Sequence, residues 1–365
     1  MTDEWKAFAG LFGDEAELAL DRALAELRAG RPILLEGAGG PALVAALDAV
    51  PPSVFAVLAS SDGMDVGLAL SQDRARSLGL PADGPVLVPV AGLDREAIFR
   101  LAGGPDLEPP EAWSPADGAA GAGIELCKQA LLLPAVLIAR LSLPSEASIH
   151  RLRIDQVACP SSPRRRGLEV VSRARVPLAE KIEASFVVFR GGRGLRDQLA
   201  ILVGDPDPAR AVPLRLHSAC LTGDLFGSLR CDCGDQLRGA VASMAAAGGG
   251  VLLYLDQEGR GTGLRNKMRA YALQDAGFDT IDADAMLGYG ADERRYDMAA
   301  EMLRLLGYRR VRLLTNNPAK GAALSRAGIA VEGTEPLTGA VTAENRRYLS
   351  TKARRAGHEL SDLLA

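Results

Sequence analysis

The chain has 365 residues, 48% of them apolar, and carries 42 Lys and Arg against 46 Asp and Glu. At about 150 residues per domain this length predicts two domains, and the apolar content excludes disorder, coiled coil and collagen as overall descriptions. The net charge of −4 leaves no large cationic field to hold a polyanion, so we expect no nucleic-acid partner.

The cysteines, the histidines and the apolar stretches of the sequence limit where the protein can reside and what kind of metal site it can have. An odd count of five cysteines without a disulfide-framework spacing predicts reduced thiols in a cytoplasmic protein. Met1–Gly13 lacks the pattern of a signal peptide, and the longest apolar stretch, Ala130–Ala139, is interrupted by Pro134 and is far shorter than the roughly 20 residues of a membrane span. We therefore expect no membrane partner. With only three histidines, a site built mainly from imidazoles is excluded.

In the first part of the chain, helical and extended patterns alternate. Residues 103–123 are rich in Gly, Pro, Ala and Asp and predict a poorly specified loop, after which an apolar pattern over Glu125–Arg140 is broken at Pro134. The glycines at 37–40 do not complete G-x-G-x-x-G and predict a turn. We predict helices over Glu15–Ala29 and Pro41–Val50, and strands over Ile33–Leu35, Val54–Ala59 and Val86–Val90.

A shift in composition marks the domain boundary. Cys159–Gly167 combines turn formers with the basic run Arg164–Arg166 and shows no apolar periodicity. Because no aromatic residues interleave with the arginines, we interpret them as a solvated linker. The predicted division is a first domain over 1–158, a linker over 159–168 and a second domain over 169–365.

The second part alternates strands, polar loops and helices, which predicts an α/β (mixed α+β) fold with ligands bound at strand ends. The first three strands are expected in a largely antiparallel set. We predict strands over Ser185–Phe189, Leu199–Val203, Leu214–Leu216, Val251–Leu255 and Val311–Leu314, and helices over Asp235–Ala247, Leu264–Gln274, Tyr296–Leu306 and Ala319–Ala327.

Three of the five cysteines, Cys220, Cys231 and Cys233, fall within fourteen residues. Thiolates suit Zn²⁺, and three protein ligands leave the fourth tetrahedral position open, as in catalytic zinc sites. Two alternatives remain: three inert buried thiols, or His217 as a fourth ligand in a structural site. Cys127, in an apolar helical pattern, is expected to be a core residue.

Three polar segments follow predicted strands or precede helices. The glycine-rich run Gln257–Lys267 can cradle phosphate with its backbone N–H groups, although a plain strand-to-helix connection explains it equally well. Asp292 could accept a proton and Arg294 could grip or attack phosphate, or both could belong to a charged helix start. Thr315 and Lys320 could contact a base or a phosphate.

Together and in this order these segments resemble GTP cyclohydrolase II over about Glu169 to the C-terminus. The matching motifs are Arg-x-His-Ser-x-Cys-x-Thr-Gly-Asp from Arg215, Ser-Leu-Arg-Cys-Asp-Cys-Gly from Ser228, Gln-Glu-Gly-Arg-Gly from Gln257, Asn-Lys-x-Arg-Ala-Tyr from Asn266, Asp-Glu-Arg from Asp292 and Leu-Leu-Thr-Asn-Asn-Pro from Leu313. The resemblance implies a mixed sheet with flanking helices, a homodimer, and hydrolysis of GTP to 2,5-diamino-6-(5-phosphoribosylamino)pyrimidin-4(3H)-one, formate and pyrophosphate, the first step of riboflavin biosynthesis.

The resemblance also implies a role for individual residues. Cys220, Cys231 and Cys233 match the zinc ligands, which favours water over His217 in the fourth position, and Mg²⁺ accompanies the triphosphate. Asp292 matches the proton acceptor, Arg294 the nucleophile and Tyr271 an active-site tyrosine. The positions implied to hold GTP are Arg215, Leu216, His217, Ser218, Ala219, Gln236, Glu258, Gly259, Arg260, Thr280, Thr315 and Lys320.

The first domain resembles, more faintly, 3,4-dihydroxy-2-butanone 4-phosphate synthase in its segments from Ala23, Arg76 and Gly123. That synthase needs an acidic Mg²⁺ cluster, but residues 31–43 hold one carboxylate, Glu36, and no histidine precedes His150. We therefore expect an α/β domain without synthase activity. Asp256 stands where several cyclohydrolases carry a basic or neutral residue. A formyl-retaining GTP hydrolase and a non-catalytic nucleotide sensor are the alternative functions.

Overall fold

A computed structural model describes residues 15–60, 66–105, 108–140, 148–157, 167–191 and 197–355. The chain forms two compact units, one made of residues 1–165 and 265–292 and the other of residues 166–264 and 293–365. Segment 265–292 thus lies in the first unit, whereas the sequence predicts it within a continuous second domain. Most of the predicted linker, Cys159 included, lies outside the described residues.

The first unit contains a seven-stranded sheet in the order β5-β4-β3-β6-β2-β1-β7. Neighbouring strands are antiparallel except for the parallel pair β1–β7. Its elements are α1 (Glu15–Arg28), β1 (Ile33–Glu36), β2 (Ala42–Ala46), α2 (Pro52–Ser60), β3 (Val66–Leu70), α3 (Gln72–Ser77), β4 (Val86–Pro89), α4 (Arg95–Gly103), β5 (Ser114–Pro115), α5 (Gly118–Gln129), β6 (Ala135–Arg140), β7 (Arg151–Arg153), α6 (Ile154–Val157), α9 (Leu264–Asp275) and α10 (Thr280–Met286).

Two predictions for the first unit are wrong. The helix predicted over Pro41–Val50 is strand β2, which pairs with β1 and β6, and the strand predicted over Val54–Ala59 is helix α2. Short apolar runs do not distinguish a strand from a helix, and Pro52, the first residue of α2, has the fixed φ that suits a helix start. Within the predicted loop 103–123, Asp117 caps the start of α5 by accepting the Ala120 N–H.

The second unit contains another seven-stranded sheet, in the order β14-β13-β11-β12-β10-β9-β8. Its core contains Phe189, Leu214 and Leu253 from the sheet, packed with Met302 and Leu303 of α11. Its elements are β8 (Glu169–Arg175), β9 (Ala184–Arg190), β10 (Gln198–Gly204), β11 (Val212–Ser218), α7 (Leu221–Asp224), α8 (Cys233–Ala246), β12 (Gly249–Leu255), α11 (Asp297–Leu305), β13 (Arg310–Leu314), α12 (Pro318–Arg326), β14 (Ala330–Glu335) and α13 (Arg346–Arg355), with 3₁₀ turns at Ala179–Lys181 and Glu258–Gly261.

Strand direction in the second sheet decides where its loops lie. Strands β8, β9, β10 and β12 are antiparallel neighbours, which confirms the antiparallel prediction for β9 and β10. Strand β11 is parallel to both β12 and β13, so that prediction is wrong for β11. Parallel strands end at the same edge of a sheet. The loops that begin at Ala219, Asp256 and Thr315 therefore share one edge. The mixed α/β class is confirmed, and no described helix has the length and apolarity needed to cross a membrane.

Candidate active site

The three neighbouring cysteines of the second unit converge on one point. Cys220 lies just after β11, and Cys231 and Cys233 lie just before and at the start of α8. Their Sγ atoms all lie within 4.8 Å of one another, and those of Cys220 and Cys231 are 3.7 Å apart. Two sulfurs bound tetrahedrally to one zinc ion at about 2.3 Å are separated by about 3.8 Å. The donor set and its spacing therefore fit a metal ion.

Two glycines allow the cysteines to approach each other. A Cβ at Gly223 would lie 2.8 Å from the Cys231 Sγ and 3.1 Å from the Cys220 Sγ. A Cβ at Gly234 would lie 2.3 Å from the carbonyl oxygen of Gly223. Since real Cβ atoms do not come this close to backbone or sulfur, any side chain at either position would push the ligands apart.

His217 does not join the sulfur cluster. The ligand group found among the described residues contains the three cysteines alone, and the His217 Nε2 lies 3.0 Å from Oδ1 of Asp224. Burial lowers the pKa of His217, against the opposing influence of Asp224. The imidazole stacks on Tyr254 with ring centroids 5.5 Å apart, and its Nδ1 has no hydrogen-bond partner among the described residues.

Asp224 contacts three other residues of this site. Its Oδ2 accepts the backbone N–H of Cys220 at 2.9 Å and the O–H of Tyr254 at 2.8 Å, in addition to its contact with His217. Asp224 belongs to the Thr-Gly-Asp motif, but the sequence interpretation gave it no role. It fixes the backbone of Cys220, a candidate metal ligand, as outer-shell carboxylates do in metal sites.

A buried arginine lies beside the cluster. Arg215 is 6% exposed, and it donates from Nη1 to the Leu314 carbonyl at 2.9 Å and from Nη2 to the Gln236 side-chain oxygen. Burial lowers its pKa to about 10, an effect that Cys233 and Asp232 oppose and Arg294 reinforces. Arg215 is therefore still protonated at neutral pH, and it brings a positive charge to the sheet edge.

Two further cations flank a buried tyrosine. The Lys320 Nζ lies 5.8 Å from the ring centroid of Tyr296 and donates to the Leu216 carbonyl at 2.7 Å. The Arg294 guanidinium lies 5.9 Å from the same ring. Thr315, after β13, is buried and accepts the Asn317 N–H at 3.0 Å. With Arg215, these cations give the edge the charge that an anionic ligand requires.

The glycine-rich turn is connected to both neighbouring loops. Glu258 accepts the N–H of Leu221, next to Cys220, at 2.6 Å. The Gln257 amide donates to the Arg295 carbonyl at 2.6 Å and accepts the Arg295 N–H at 3.1 Å, which holds the Arg294 loop in place. Gln257 had no assigned role in the sequence interpretation. Gly259 and Arg260 have φ angles of 61° and 60°, a left-handed conformation that is costly for an arginine.

The remaining candidate residues divide between the two units. Ser218 ends β11, and its Oγ has no hydrogen-bond partner among the described residues, while the Ala219 N–H donates to the Leu255 carbonyl. In the first unit, Tyr271 lies on α9 with the Lys267 Nζ 5.7 Å from its ring centroid, Thr280 begins α10, and Asp292 is the last residue of the unit.

Comparisons with known proteins relate the chain to one family. The family model of GTP cyclohydrolase II matches residues 169–336. A GTP cyclohydrolase-2 of Pseudomonas aeruginosa (strain PAO1) is 49% identical over 192 residues, which are 53% of this chain and 92% of the relative. The solved structure of RibBX, a two-domain 3,4-dihydroxy-2-butanone 4-phosphate synthase from A. baumannii, covers 88% of this chain and 99% of its own at 17% identity, with a TM-score of 0.30 that is too low to establish a shared fold.

Two relatives match nearly the whole chain. A GTP cyclohydrolase-2 of Xylella fastidiosa (strain Temecula1) is 48% identical over 357 residues, covering 96% of this chain and 89% of the relative. A GTP cyclohydrolase-2 of Azospirillum brasilense is 42% identical, with 94% and 95% covered. At this identity and coverage, the chain belongs to the GTP cyclohydrolase II family.

Proposed function

We propose that this chain hydrolyses GTP to 2,5-diamino-6-(5-phosphoribosylamino)pyrimidin-4(3H)-one, formate and pyrophosphate, and so opens riboflavin biosynthesis. The observation that carries the proposal is one sheet edge with a three-thiolate cluster and three cations, Arg215, Arg294 and Lys320. The reaction needs both features, since it cleaves a triphosphate and hydrolyses a ring. The names of the full-length relatives support it.

The metal of this proposal is zinc. Cys220, Cys231 and Cys233 hold it, and their mutual spacing suits one tetrahedral ion. When bound, zinc supplies a Lewis acid that activates water for hydrolysis of the imidazole ring and release of formate. Asp224 orients Cys220 through its backbone, and Gly223 keeps the sulfurs close.

The cations act on the triphosphate, which Mg²⁺ accompanies. Arg215 and Lys320 attract the anionic substrate and offset its negative charge. The substrate contacts proposed for these elements are Arg215, Leu216, His217, Ser218, Ala219, Gln236, Glu258, Gly259, Arg260, Thr280, Thr315 and Lys320.

Arg294 is the proposed nucleophile. It attacks the α-phosphorus, the bond to the bridging oxygen breaks, and pyrophosphate leaves with the electron pair, while Asp292 accepts the proton of the attacking nitrogen. Water later attacks the same phosphorus, the phosphorus–nitrogen bond breaks, and one proton of that water passes to the leaving nitrogen, which frees both Arg294 and the phosphorylated product. Gln257 fixes the backbone next to Arg294 through both hydrogen bonds of its amide. Tyr271 is the third proposed catalytic residue, and its presence argues against the formyl-retaining variant.

The proposal extends to the rest of the molecule. Its first unit has no synthase activity, because residues 31–43 hold a single carboxylate, Glu36, where the synthase needs an acidic Mg²⁺ cluster, and no histidine precedes His150. The enzyme is a cytoplasmic homodimer. Detection of 3,4-dihydroxy-2-butanone 4-phosphate from ribulose 5-phosphate would contradict the first of these statements, and sedimentation equilibrium would test the second.

One assay tests the function. Purified protein is incubated with GTP, Zn²⁺ and Mg²⁺ while formate and pyrophosphate are quantified. We expect one formate per pyrophosphate. Pyrophosphate without formate would instead indicate the formyl-retaining hydrolase, and neither product would indicate a nucleotide sensor. In the same assay Arg294→Ala is expected to abolish pyrophosphate release, whereas zinc removal is expected to spare it and stop formate release. If both changes stopped only the same step, the assigned roles would be wrong.

A further inference from the structure

Segment 337–345 follows β14 and precedes α13, the helix that begins at Arg346. The family model of GTP cyclohydrolase II ends at residue 336, and the sequence motifs assigned no role to any residue after Lys320. The segment belongs to the second unit, which also contains the three clustered cysteines. Its contacts with the loop that carries these cysteines are therefore contacts within one unit.

An asparagine side chain fixes the start of the segment. Asn316, just after β13, is buried. Its Nδ2 donates to the Leu337 carbonyl at 2.8 Å, and its Oδ1 accepts the Leu337 N–H at 3.1 Å. The Leu337 side chain packs against a core cluster that contains Met244 of α8 and Leu252 of β12. The backbone and the side chain of Leu337 are therefore both held in place.

A second asparagine closes the end of the segment into a turn. Asn345 is 2% exposed. Its Oδ1 accepts the Thr342 N–H at 2.9 Å, its Nδ2 donates to the Ala340 carbonyl at 2.9 Å, and its own N–H donates to the Thr342 Oγ1 at 3.1 Å. Because each of these three bonds joins two residues of the segment, they set its shape without help from the cysteine loop.

Gly339 brings the segment against the turn that joins Cys231 to Cys233. A Cβ at Gly339 would lie 3.0 Å from the Cβ atoms of Asp232 and Asp235 and 3.1 Å from the Asp232 carbonyl oxygen. Real Cβ atoms rarely make contacts this short, so a side chain at this position would displace Asp232. Asp232 lies between the two cysteines and is 2% exposed. Any displacement of its backbone therefore moves the thiols on both sides.

Two hydrogen bonds attach the segment on either side of this turn. The Thr342 Oγ1 donates to the Leu229 carbonyl at 3.3 Å, two residues before the first cysteine of the turn. The Ala340 N–H donates to Asp235 Oδ2 at 3.3 Å, two residues after the second cysteine. One segment thus contacts the cysteine turn at its centre and at both of its ends.

We propose that segment 337–345 holds the Cys231–Cys233 turn in the zinc-binding arrangement before the metal binds, with Gly339 and Thr342 as positioning residues. The inference rests on the proposed function and extends its metal site to a part of the chain that the family model does not include. No residue of the segment belongs to the ligand group found among the described residues, so the segment acts through the backbone of the turn. A site that is ordered in advance loses less conformational freedom on binding.

The first test compares two glycine-to-alanine variants of the full, metal-free chain in competition for Zn²⁺ with a chromogenic chelator. For Gly339→Ala we expect zinc affinity to fall about 10–100-fold, as for other changes in the surroundings of metal ligands. Gly333→Ala in β14, where a Cβ would meet no atom within 4 Å, is the matched control and should bind zinc like the wild type. Co²⁺ bound in place of zinc reports the ligand geometry through its visible absorption, which should change in Gly339→Ala alone.

Thr342 offers a second pair of variants that leaves the backbone of the segment unchanged. Thr342→Val keeps the shape of the side chain and removes the hydroxyl that bonds the Leu229 carbonyl and the Asn345 N–H. Zinc affinity should therefore fall about 2–10-fold, the effect of one or two hydrogen bonds. Thr342→Ser keeps the hydroxyl and should bind zinc like the wild type.

The inference is wrong if Gly339→Ala binds zinc as tightly as Gly333→Ala, if Thr342→Val keeps the wild-type affinity, or if Thr342→Ser binds zinc as weakly as Thr342→Val. Should Gly339→Ala fail to fold, as judged by far-ultraviolet circular dichroism, the Thr342 pair decides alone. None of these measurements uses GTP. Wild-type protein that binds zinc but releases neither formate nor pyrophosphate would therefore contradict the proposed function and not the inference.

Discussion

The two sheets have the same number of strands but differ in strand direction. In the first sheet every hydrogen-bonded pair of strands except β1–β7 is antiparallel, so most neighbouring strands end at opposite edges of the sheet. In the second sheet β11 to β14 run parallel, and the loops after β11, β12 and β13 meet at one edge. That edge carries Cys220, Glu258 and Thr315. The comparison teaches that strand direction, rather than sheet size, determines which unit assembles a reactive cluster.

The cysteines of the two units also differ in their surroundings. Cys127 of the first unit is fully buried, and burial first, then the charge of Asp48, raises the pKa of its thiol. Cys220 lies at a strand end beside two other thiols. A neutral buried thiol serves packing, whereas thiols clustered at a loop edge have the spacing that suits a metal ion.

The largest expected effect comes from breaking the cluster. In Cys231→Ser we expect zinc per chain to fall below about a tenth of the wild-type value and formate release to fall at least about 10³-fold, because the activated water is lost. Metal analysis and the formate assay measure both. Cys127→Ser, in the first unit, is the matched control: it should keep zinc and activity and lower the free energy of unfolding by about 1–3 kcal/mol. Normal zinc and formate release in Cys231→Ser would refute the assigned metal site.

An intermediate effect is expected from crowding the cluster without removing a ligand. The Cβ of Gly223→Ala would meet the Cys231 Sγ at 2.8 Å, and we expect zinc affinity to fall about 10–100-fold, as for other changes in the surroundings of metal ligands. Competition with a chromogenic chelator measures this affinity.

The matched control is Gly121→Ala in α5, where a Cβ would meet no atom within 4 Å. Replacing a helical glycine by alanine stabilises a fold by about 0.4–1 kcal/mol, so this variant should melt slightly higher with unchanged zinc affinity. Equal zinc affinity in the two variants would contradict the close-packing argument for Gly223.

The smallest expected effect concerns pH. Burial lowers the pKa of His217 in the folded chain, so the unfolded chain takes up a proton first as pH falls through about 6.5. The free energy of unfolding should therefore decrease from pH 7 toward pH 5, and His217 should contribute no slope above that range. Urea unfolding of zinc-loaded wild type and His217→Gln at several pH values measures the difference. If His217→Gln kept the full pH dependence of the wild-type free energy of unfolding, another titrating group would be responsible for that dependence.

The sequence predicted the strands of the second sheet better than those of the first. Strands β11, β12 and β13 were predicted because each is a short buried run that ends in a polar motif. The region of Pro41–Val50 was misassigned because a short apolar run with alanines suits a strand and a helix equally. The contact of Asp48 with Arg269 joins residues 221 positions apart. No local pattern indicates such a pairing, so this contact could not be predicted from the sequence.

The passage of the chain out of the second unit at Leu264 and back at Glu293 has a consequence for how this protein can be divided. A gene fragment that starts near residue 167 would encode α9 and α10 without the strands that cover Leu273, Met286 and Leu287. Such a fragment would expose these apolar side chains to solvent and should aggregate on expression. The first unit is therefore built from two separate stretches of the chain. An exchange of domains with a shorter relative would have to move residues 265–292 together with residues 1–165.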